Sequence, residues 1–557
     1  MLNYQITVLH PKNGIQRDGT PYFSEHYVAG QWVRFYENVP KKMGGCTLTL
    51  YGDSTIIRTL YTIPQATSFY LYMGRNPVVG GSPVVPGNIQ YSIITNDGVA
   101  GVPVDRTPTD PAFVPRLNTI WVFDTASFRY APAPYSGAST NLLFANYISL
   151  DMESQEAGPI FVGGVNNPDM TPATSPLVPV YDKNMQLVEA SGGILYCAPV
   201  IVAYGNNGNI TWTGIGNDVT PFDPGSPTSP GTWDTTTDVL NLTNTKIVKA
   251  ANTRGSGSPT MLLWSLNSLC RATLTQTNSG LQFVNTIVQD NISIIAPNSV
   301  VNYEQQFFWI GTDQFYVYNG IVQNLPNSMN NDWFFNNVNL AQTNKIWGVA
   351  VPRYKEIWWF YVRGSTATEC NATIIYNIEQ NIWYDNTIDP DDVFNIHNFT
   401  RSAGVQASGQ YPFPIYADNT LINNPITPTN DTYPIWTHES GINRTIGDKK
   451  FAIPSTYTTP LIDLWSSQGS TSNLINNRRI VPDFLQTGVM SVELLTKTYP
   501  NDPTTAYGPF PFDKTTPFID FNCQGALNSF TFASNVVDGD YQAGKILYFY
   551  QKGDTLK

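Results

Sequence analysis

The fold of this chain is decided by three segments: FFWIGTDQFYVYNG (307–320), KIWGVAVPRYKEIWWFYVRG (345–364) and NATIIYNIEQNIWY (371–384). Each segment is an apolar run, a turn and a second apolar run. The dipeptide Asn319-Gly320 is a strong signal for a tight turn between antiparallel strands. Short antiparallel sheets repeated at this spacing are the pattern of β-propeller blades. The sequence therefore predicts an all-β chain built around a β-propeller.

The aromatic residues of these segments favour the same interpretation. Runs without polar alternation, such as residues 357–362, indicate strands that are buried on both faces. Aromatic rings on a surface also stack on sugars or on nucleic-acid bases. Large aromatic side chains in repeated strands usually pack between sheets, and we therefore interpret them as the core between blades.

The three segments resemble the tail-nozzle, or packaged-DNA stabilisation, proteins of short-tailed bacteriophages. The family's pattern W-x-G-x-D-x-F-x-V-Y-x-G matches residues 309–320, E-I-W-W-F-Y matches 356–361, and Y-N-x-x-x-x-x-W-Y matches 376–384. Two weaker matches flank them. The first comprises Val33, Arg34, Phe35, Asn38, Pro40, Lys42, Gly44 and Gly45, and the second comprises Arg479, Pro482, Asp483 and the final strand from Gly544 to Tyr550.

The resemblance implies a structural role in the virion tail. A tail nozzle is a homo-oligomeric ring, expected here to be a hexamer, that binds a tail adaptor protein and tail fibre or spike proteins. Such a ring retains packaged DNA and forms the conduit for its ejection. The resemblance thus implies a protein that is made in the host cytoplasm, has no enzymatic activity and touches passing double-stranded DNA only transiently.

The composition limits the possible functions. A chain of 557 residues is too long for one ordinary core, so two or three domains are expected. Only 13% of the residues are charged, and the net charge is -12. Tight binding to nucleic acid usually requires a basic patch, and none is visible. We therefore expect a neutral to acidic lumen and weak contact with DNA.

Changes in composition along the chain suggest domain boundaries. Residues 1–54 are predicted to form an N-terminal segment with short strands, and residues 55–420 the propeller with its loop insertions. Residues 421–456, which are rich in Asn, Pro and Thr, are predicted to be a linker. Residues 457–557 are predicted to form an additional C-terminal β-sandwich-like module, since 491–498 alternate as a half-exposed strand does. A short helix is expected within 328–342.

Three basic residues near the start of the chain, Arg34, Lys41 and Lys42, have two interpretations. They protect a solvated edge strand from aggregation, or they contact a neighbouring subunit. The sequence alone does not decide between these.

No catalytic, cofactor-binding or metal-binding residue is predicted. The histidines lack metal-binding spacing, and Asp389, Asp391 and Asp392 read as turn residues more readily than as calcium ligands. The five cysteines are isolated, which favours free buried thiols. No secretory signal and no run of ~18 apolar residues for a membrane span is present. The alternative function is a tail β-propeller that binds or cleaves host surface glycan, which would need paired carboxylates.

Overall fold

The computed structural model describes most of the chain, and strands are its main secondary structure. The described residues are 4–52, 56–64, 68–75, 89–95, 104–106, 119–124, 129–134, 143–147, 158–163, 178–179, 189–190, 192–197, 200–205, 208–212, 239–243, 245–253, 257–278, 280–386, 401–406, 412–423, 431–464 and 473–555. The predicted all-β fold class, a β-propeller with a further C-terminal β module, is confirmed.

Seven strands lie in the N-terminal segment. They are β1 (Gln5–Leu9), β2 (Lys12–Ile15), β3 (His26–Tyr27), β4 (Ala29–Gln31), β5 (Val33–Tyr36), β6 (Val39–Lys42) and β7 (Cys46–Tyr51). Strand β2 pairs with β3, and β5 pairs with β6. Strands β1, β4, β6 and β7 pair with strands that lie beyond residue 430.

The first three propeller sheets, blades 1 to 3, follow in chain order. Blade 1 holds β8 (Ile57–Pro64), β9 (Ser68–Arg75), β10 (Ile89–Thr95) and β11 (Val104–Arg106). Blade 2 holds β12 (Thr119–Asp124), β13 (Arg129–Pro134), β14 (Leu143–Tyr147), β15 (Gly158–Gly163), β16 (Val178–Pro179) and β17 (Glu189–Ala190). Blade 3 holds β18 (Gly193–Cys197), β19 (Val200–Gly205), β20 (Asn209–Trp212) and β21 (Val239–Asn241). Blade 2 is irregular, because β12 and β14 are parallel.

Blades 4 to 6 are regular four-stranded antiparallel sheets. Blade 4 holds β22 (Ile247–Thr253), β23 (Thr260–Ser265), β24 (Ser268–Thr277) and β25 (Gly280–Asp290). Blade 5 holds β26 (Val301–Tyr303), β27 (Gln306–Ile310), β28 (Phe315–Tyr318) and β29 (Val322–Leu325), and blade 6 holds β30 (Trp347–Val351), β31 (Glu356–Tyr361), β32 (Ala372–Asn377) and β33 (Ile382–Asp385). The predicted turn is confirmed between β28 and β29, where Gly320 has a φ of 111°, which suits glycine.

Helical structure in the described chain is short. The expected helix is present as α1 (Asn331–Asn337), between blades 5 and 6. Three 3₁₀ turns cover Pro297–Ser299, Leu340–Lys345 and Pro352–Tyr354. The helices that the structure describes all fall short of the length and apolarity that a bilayer crossing requires.

Blade 7 closes the ring with a strand from the start of the chain. Its strands run in the order β34 (Arg401–Gln406), β35 (Pro414–Asp418), β38 (Pro434–His438), β7, β39 (Arg444–Ile446) and β40 (Lys449–Phe451), and a separate hairpin holds β36 (Ile422–Asn423) and β37 (Asp431–Thr432). Strand β34 contacts β8 of blade 1. The described residues therefore form a ring of seven sheets, and its last sheet joins both ends of the propeller.

The C-terminal module consists of three sheets that combine strands from both ends of the chain. Its later strands are β41 (Ser455–Thr458), β42 (Asn473–Val481), β43 (Phe484–Thr487), β44 (Met490–Lys497), β45 (Thr505–Phe512), β46 (Ile519–Gly525), β47 (Leu527–Ser534), β48 (Asp540–Ala543) and β49 (Ile546–Thr555). The strand orders are β1-β49-β42-β46, β4-β41-β47-β44-β45 and β43-β48-β6-β5. Phe530, Phe532 and Tyr548 lie in the buried core that these sheets share.

These pairings correct two of the predicted boundaries. Residues 1–54 are not a separate segment, because β7 is a strand of blade 7 and β1, β4, β5 and β6 are strands of the C-terminal module's sheets. Residues 421–456 are not a linker, because β38 lies within them and all five of its residues are buried. The polar residues of 421–456 gave no indication of the buried strand β38.

Aromatic packing between blades is confirmed for the segments that decide the fold. Phe315 of blade 5 and Trp383 of blade 6 lie with their ring centroids 4.6 Å apart. Trp264 of blade 4 contacts Trp309 of blade 5 edge to face at 5.8 Å. Every residue of β31 and of β32 is buried, as expected for strands covered on both faces.

The membership of β7 in blade 7 predicts the effect of a core substitution. Leu50 is 6% exposed and packs with Ile57 and Ile435. We expect Leu50→Ala to lower the free energy of unfolding by about 2–5 kcal/mol, measured by chemical denaturation. Leu485→Ala is the matched control, since Leu485 is 76% exposed. Equal effects of the two substitutions would contradict the placement of β7 in the propeller.

Candidate functional site

A buried cluster of charges lies where the N-terminal segment, blade 6 and blade 7 meet. Arg34 is on β5, Glu356 begins β31, and Glu439 follows β38. Successive side chains of a strand point to opposite faces, so Val33 and Phe35 enter the apolar core while Arg34 is directed to the other side. Arg34 is 1% exposed, and Glu356 is fully buried.

The Arg34 guanidinium binds both carboxylates. It makes a bidentate pair with Glu439, with Nη1 2.9 Å from Oε2 and Nη2 2.6 Å from Oε1. Its Nη2 also donates to Oε2 of Glu356 at 3.3 Å, and its Nε lies 3.2 Å from Oε1 of Glu356. The Tyr354 ring covers the guanidinium, with Cζ 3.4 Å from the ring centroid. Such forked pairs combine strength with a fixed direction.

Blade 6 supplies further donors to Glu356. The Tyr384 hydroxyl donates to Oε1 at 2.5 Å, and Trp358 Nε1 donates to Oε2 at 2.8 Å. Burial raises the pKa of Glu356, while Arg34 and the two donors oppose that rise. Burial alone would lower the pKa of Arg34, but the charges of Glu356 and Glu439 raise it above its ordinary value. The two carboxylates therefore stabilise the charge of the buried Arg34 guanidinium.

A second buried cluster lies next to the first, within blade 7. Arg401 Nη1 is 2.8 Å from Oδ2 of Asp418, which also accepts from Trp436 Nε1 at 2.9 Å. Arg401 Nε donates to Nε2 of His438 at 3.0 Å, so that nitrogen carries no proton. Burial and the charge of Arg401 lower the pKa of His438 well below its ordinary value. His438 of this cluster directly precedes Glu439 of the Arg34 cluster. The two clusters are therefore linked through adjacent residues.

Two more basic residues of the N-terminal segment are tied to distant parts of the chain. Arg17 makes a bidentate pair with Asp385 at the end of β33, with both contacts at 2.9 Å. Lys42 Nζ donates to the carbonyl of Gly539 in the C-terminal module at 2.6 Å. Burial lowers the pKa of Lys42 to about 8, against the effect of Asp540. The N-terminal segment thus contacts the propeller through Arg17 and the C-terminal module through Lys42.

Both interpretations of the early basic residues are wrong for Arg34 and Lys42. These side chains are buried within the chain, so they neither protect a solvated edge nor contact another subunit. Lys41 is half-buried, and its Nζ lies 5.3 Å from the centre of the Tyr36 ring. The sequence held one signal of this arrangement, since Glu356 is the single charged residue that opens the run EIWWFYV. The sequence around Glu439 gives no comparable indication that its side chain is buried.

A pocket of about 340 Å³ opens between blades 6 and 7, beside the Arg34 cluster. It is lined by Val351, Pro352, Arg353, Gln406, Pro412, Phe413, Pro414 and Glu439. Glycoside hydrolysis usually needs two carboxyl groups that flank the bond to be cleaved. The described lining holds one carboxylate, Glu439, and that carboxylate is already bound by Arg34. This pocket is therefore not arranged as a glycosidase site.

Asp389, Asp391 and Asp392, which are interpreted from the sequence as turn residues, fall outside the described residues. The five cysteines are all free and buried, as expected. Within the described ranges, no three His, Cys, Asp or Glu side chains lie close enough together to hold a metal ion. The absence of catalytic, cofactor and metal sites stays a prediction for the whole chain.

Comparison with known proteins finds similar solved structures but no matching protein family. No protein-family model matches the chain, and no curated protein matches its sequence. Similar solved structures include a putative 6-phosphogluconolactonase from Bacteroides fragilis NCTC 9343, at 9% identity and a TM-score of 0.33, covering 67% of this chain and 95% of that chain.

Two further similar structures have comparable values. BamB from Moraxella catarrhalis is 10% identical, with a TM-score of 0.32, covering 68% of this chain and 94% of that chain. The Dos1 propeller is 9% identical, also with a TM-score of 0.32, covering 75% of this chain and 92% of that chain. These likenesses assign no activity to this chain.

The Arg34 cluster predicts a large loss of stability on removal of its cation. Arg34→Met would leave Glu356 and Glu439 buried without their counter-charge, and we expect the free energy of unfolding to fall by about 3–5 kcal/mol. The control is Lys355→Met, which removes the neighbouring exposed ion pair with Glu379 and should leave the denaturation midpoint unchanged. Similar midpoints for the two variants would refute a stabilising role for the cluster.

The buried His438 predicts a dependence of stability on pH. Its pKa is depressed in the folded chain, whereas an unfolded histidine titrates near 6.5. The unfolded chain therefore binds a proton that the folded chain does not, and stability is lost as the pH falls below about 6.5. In thermal melts, His438→Gln, which keeps an acceptor for Arg401, should weaken this dependence. His10→Gln, at an exposed position, should retain it.

Proposed function

We propose that this chain is a subunit of the tail nozzle of a short-tailed bacteriophage. Six copies form a ring that closes the distal end of the tail, bound to a tail adaptor protein and next to tail fibres or spikes. The ring retains the packaged DNA and becomes the conduit for its ejection. The role is structural and requires no chemical reaction.

One observation carries this proposal. The residues that resemble the nozzle family lie far apart in the sequence and contact one another in the folded chain. Arg34 belongs to the early motif, while Glu356 and Tyr384 belong to the two later ones. Arg34 and Tyr384 both bind Glu356 in the buried cluster. Scattered chance similarities would have no reason to meet at one site.

The weaker C-terminal match supports the proposal in the same way. Asp483 and Gly544 are the motif residues of that region, and the Gly544 amide donates to the Asp483 carbonyl at 2.6 Å. A Cβ atom at position 544 would lie 2.4 Å from Oδ2 of Asp483. The contact thus requires glycine, so the motif reflects a packing constraint.

The charge distribution suits a conduit through which DNA passes without being held. Affinity for duplex DNA grows with each phosphate that a Lys or Arg neutralises. The chain has 30 basic against 42 acidic residues, and Arg17, Arg34, Lys42 and Arg401 are bound to internal partners. Contact with passing DNA would therefore be transient and non-specific.

Electron microscopy of intact particles tests the proposal. Particles that carry a tagged copy of this chain should show the tag in a six-fold ring at the distal end of the tail. A single copy, a trimeric fibre or a location outside the tail would overturn it. Turnover of host surface polysaccharide by the purified chain would instead favour the alternative, a tail propeller that binds or cleaves glycan.

A further inference from the structure

Blade 4 has an outer strand unlike those of the other blades. Strand β25 has 11 residues and lies at the end of its sheet, with β24 as its partner. The last strands of the other described blades are short: β11 and β21 have three residues, β16 has two, and β29 and β33 have four. In blade 7, β39 covers the outer side of β7.

Within the part of the chain that the structure describes, strand β25 also carries little of the usual protection of an exposed edge. Proteins blunt such edges with short strands, charged residues, prolines or a covering segment, because unpaired backbone groups recruit other strands. The sequence GLQFVNTIVQD contains no proline, and its one charge, Asp290, stands at its end. Val284 and Ile287 are 55% and 54% exposed. No described strand lies on the outer side of β25.

A second unprotected edge lies on the C-terminal module. Strand β1, with the sequence QITVL, is the outermost strand of its sheet and pairs with β49. Ile6 and Val8 are 57% and 48% exposed along it. The other long edges of the module are blocked by Pro509 and Pro511 in β45 or carry a charge, as β46 does. Strand β43 has four residues.

We propose that β25 of one copy pairs with β1 of a neighbouring copy, so that each propeller receives an added strand from the next subunit. Main-chain hydrogen bonds would supply the affinity, and the exposed apolar residues of both strands would pack across the new pair. This inference rests on the proposed function, because the nozzle ring supplies the second copy.

The use of two different edges determines the kind of assembly. A contact between unlike surfaces of identical chains is heterologous and propagates head to tail, giving a ring where its rotation closes and a filament where it does not. Pairing of β25 with a second β25 would be isologous and would stop at a dimer with two-fold symmetry. The two edges therefore match a ring better than a dimer.

Edge-protecting substitutions provide the first test. Val284→Lys with Thr286→Lys places charges on β25 without touching its buried face. In sedimentation experiments over a range of protein concentrations, association of copies should weaken about tenfold or more, because charged edges resist strand addition. Gln323→Lys on the short strand β29 is the matched control and should leave association unchanged. Unaltered association of the β25 variant would overturn the proposal.

Cross-linking tests the identity of the added strand. One tagged chain carries Val284→Cys and a second, differently tagged chain carries Ile6→Cys. A short bismaleimide should join the two chains, and the five native cysteines are buried and should not react. Leu485→Cys, on another exposed edge of the module, is the control that should not join. A cross-link to position 485 in place of position 6, or none at all, would overturn the assignment of β1.

The two tests separate this inference from the proposed function. Six-fold rings on particles without the cross-link would disprove the strand exchange and leave the nozzle role intact. The cross-link in a chain that is absent from the tail would disprove the nozzle role alone. A chain that stays monomeric at every concentration and forms no cross-link, or a β25 dimer of two-fold symmetry, would overturn the pairing of β25 with β1.

Discussion

The pairing of Arg34 with Glu356 and Glu439 is the constraint on which the rest of the structure depends. Apolar contact between two sheets tolerates sliding and rotation, whereas a planar guanidinium held by two carboxylates fixes both distance and direction. The pair joins the strand that enters the C-terminal module to the two blades where the propeller is completed. Burial makes any misplacement costly, since each charge depends on its partners for solvation. The cluster therefore sets how the propeller meets its neighbouring module.

The local part of the fold was readable from the sequence. Aromatic runs broken by turns identified blades 5 and 6, because the signal for a hairpin lies within a few residues, as in Asn319-Gly320. The pairing of β7 with β38 was not predictable, since a strand such as CTLTLY matches many partners equally well. The polar neighbours of β38 further concealed it. Pairing between strands far apart in the sequence depends on how their surfaces fit once the blades have formed. The order of residues in one strand does not show that fit.

The sequence contains the residues of the candidate site but does not indicate that they meet. The charge of Arg34 favours a surface position, because arginine side chains are mostly exposed. Glu356 was recognised within a motif without a partner. Its position beside buried aromatic residues was a sign that a cation had to lie near it, since a buried carboxylate needs a counter-charge or hydrogen-bond donors. The identity of that cation depended on tertiary structure alone.

The interleaving of the two chain ends affects how the protein is made. Strand β1 pairs with β49, with Gln5 opposite Tyr550, and β7 waits for β38 before blade 7 exists. A nascent chain that leaves the ribosome start-first cannot complete blade 7 until β34 to β40 emerge, and it cannot complete the C-terminal module until β49 emerges. Strands β1, β4 and β7 must wait for partners that lie beyond residue 430, and the resulting high contact order slows folding. The same arrangement ensures that a chain terminated before β38 lacks both a closed propeller and a finished module, so it cannot present a correctly formed surface for assembly.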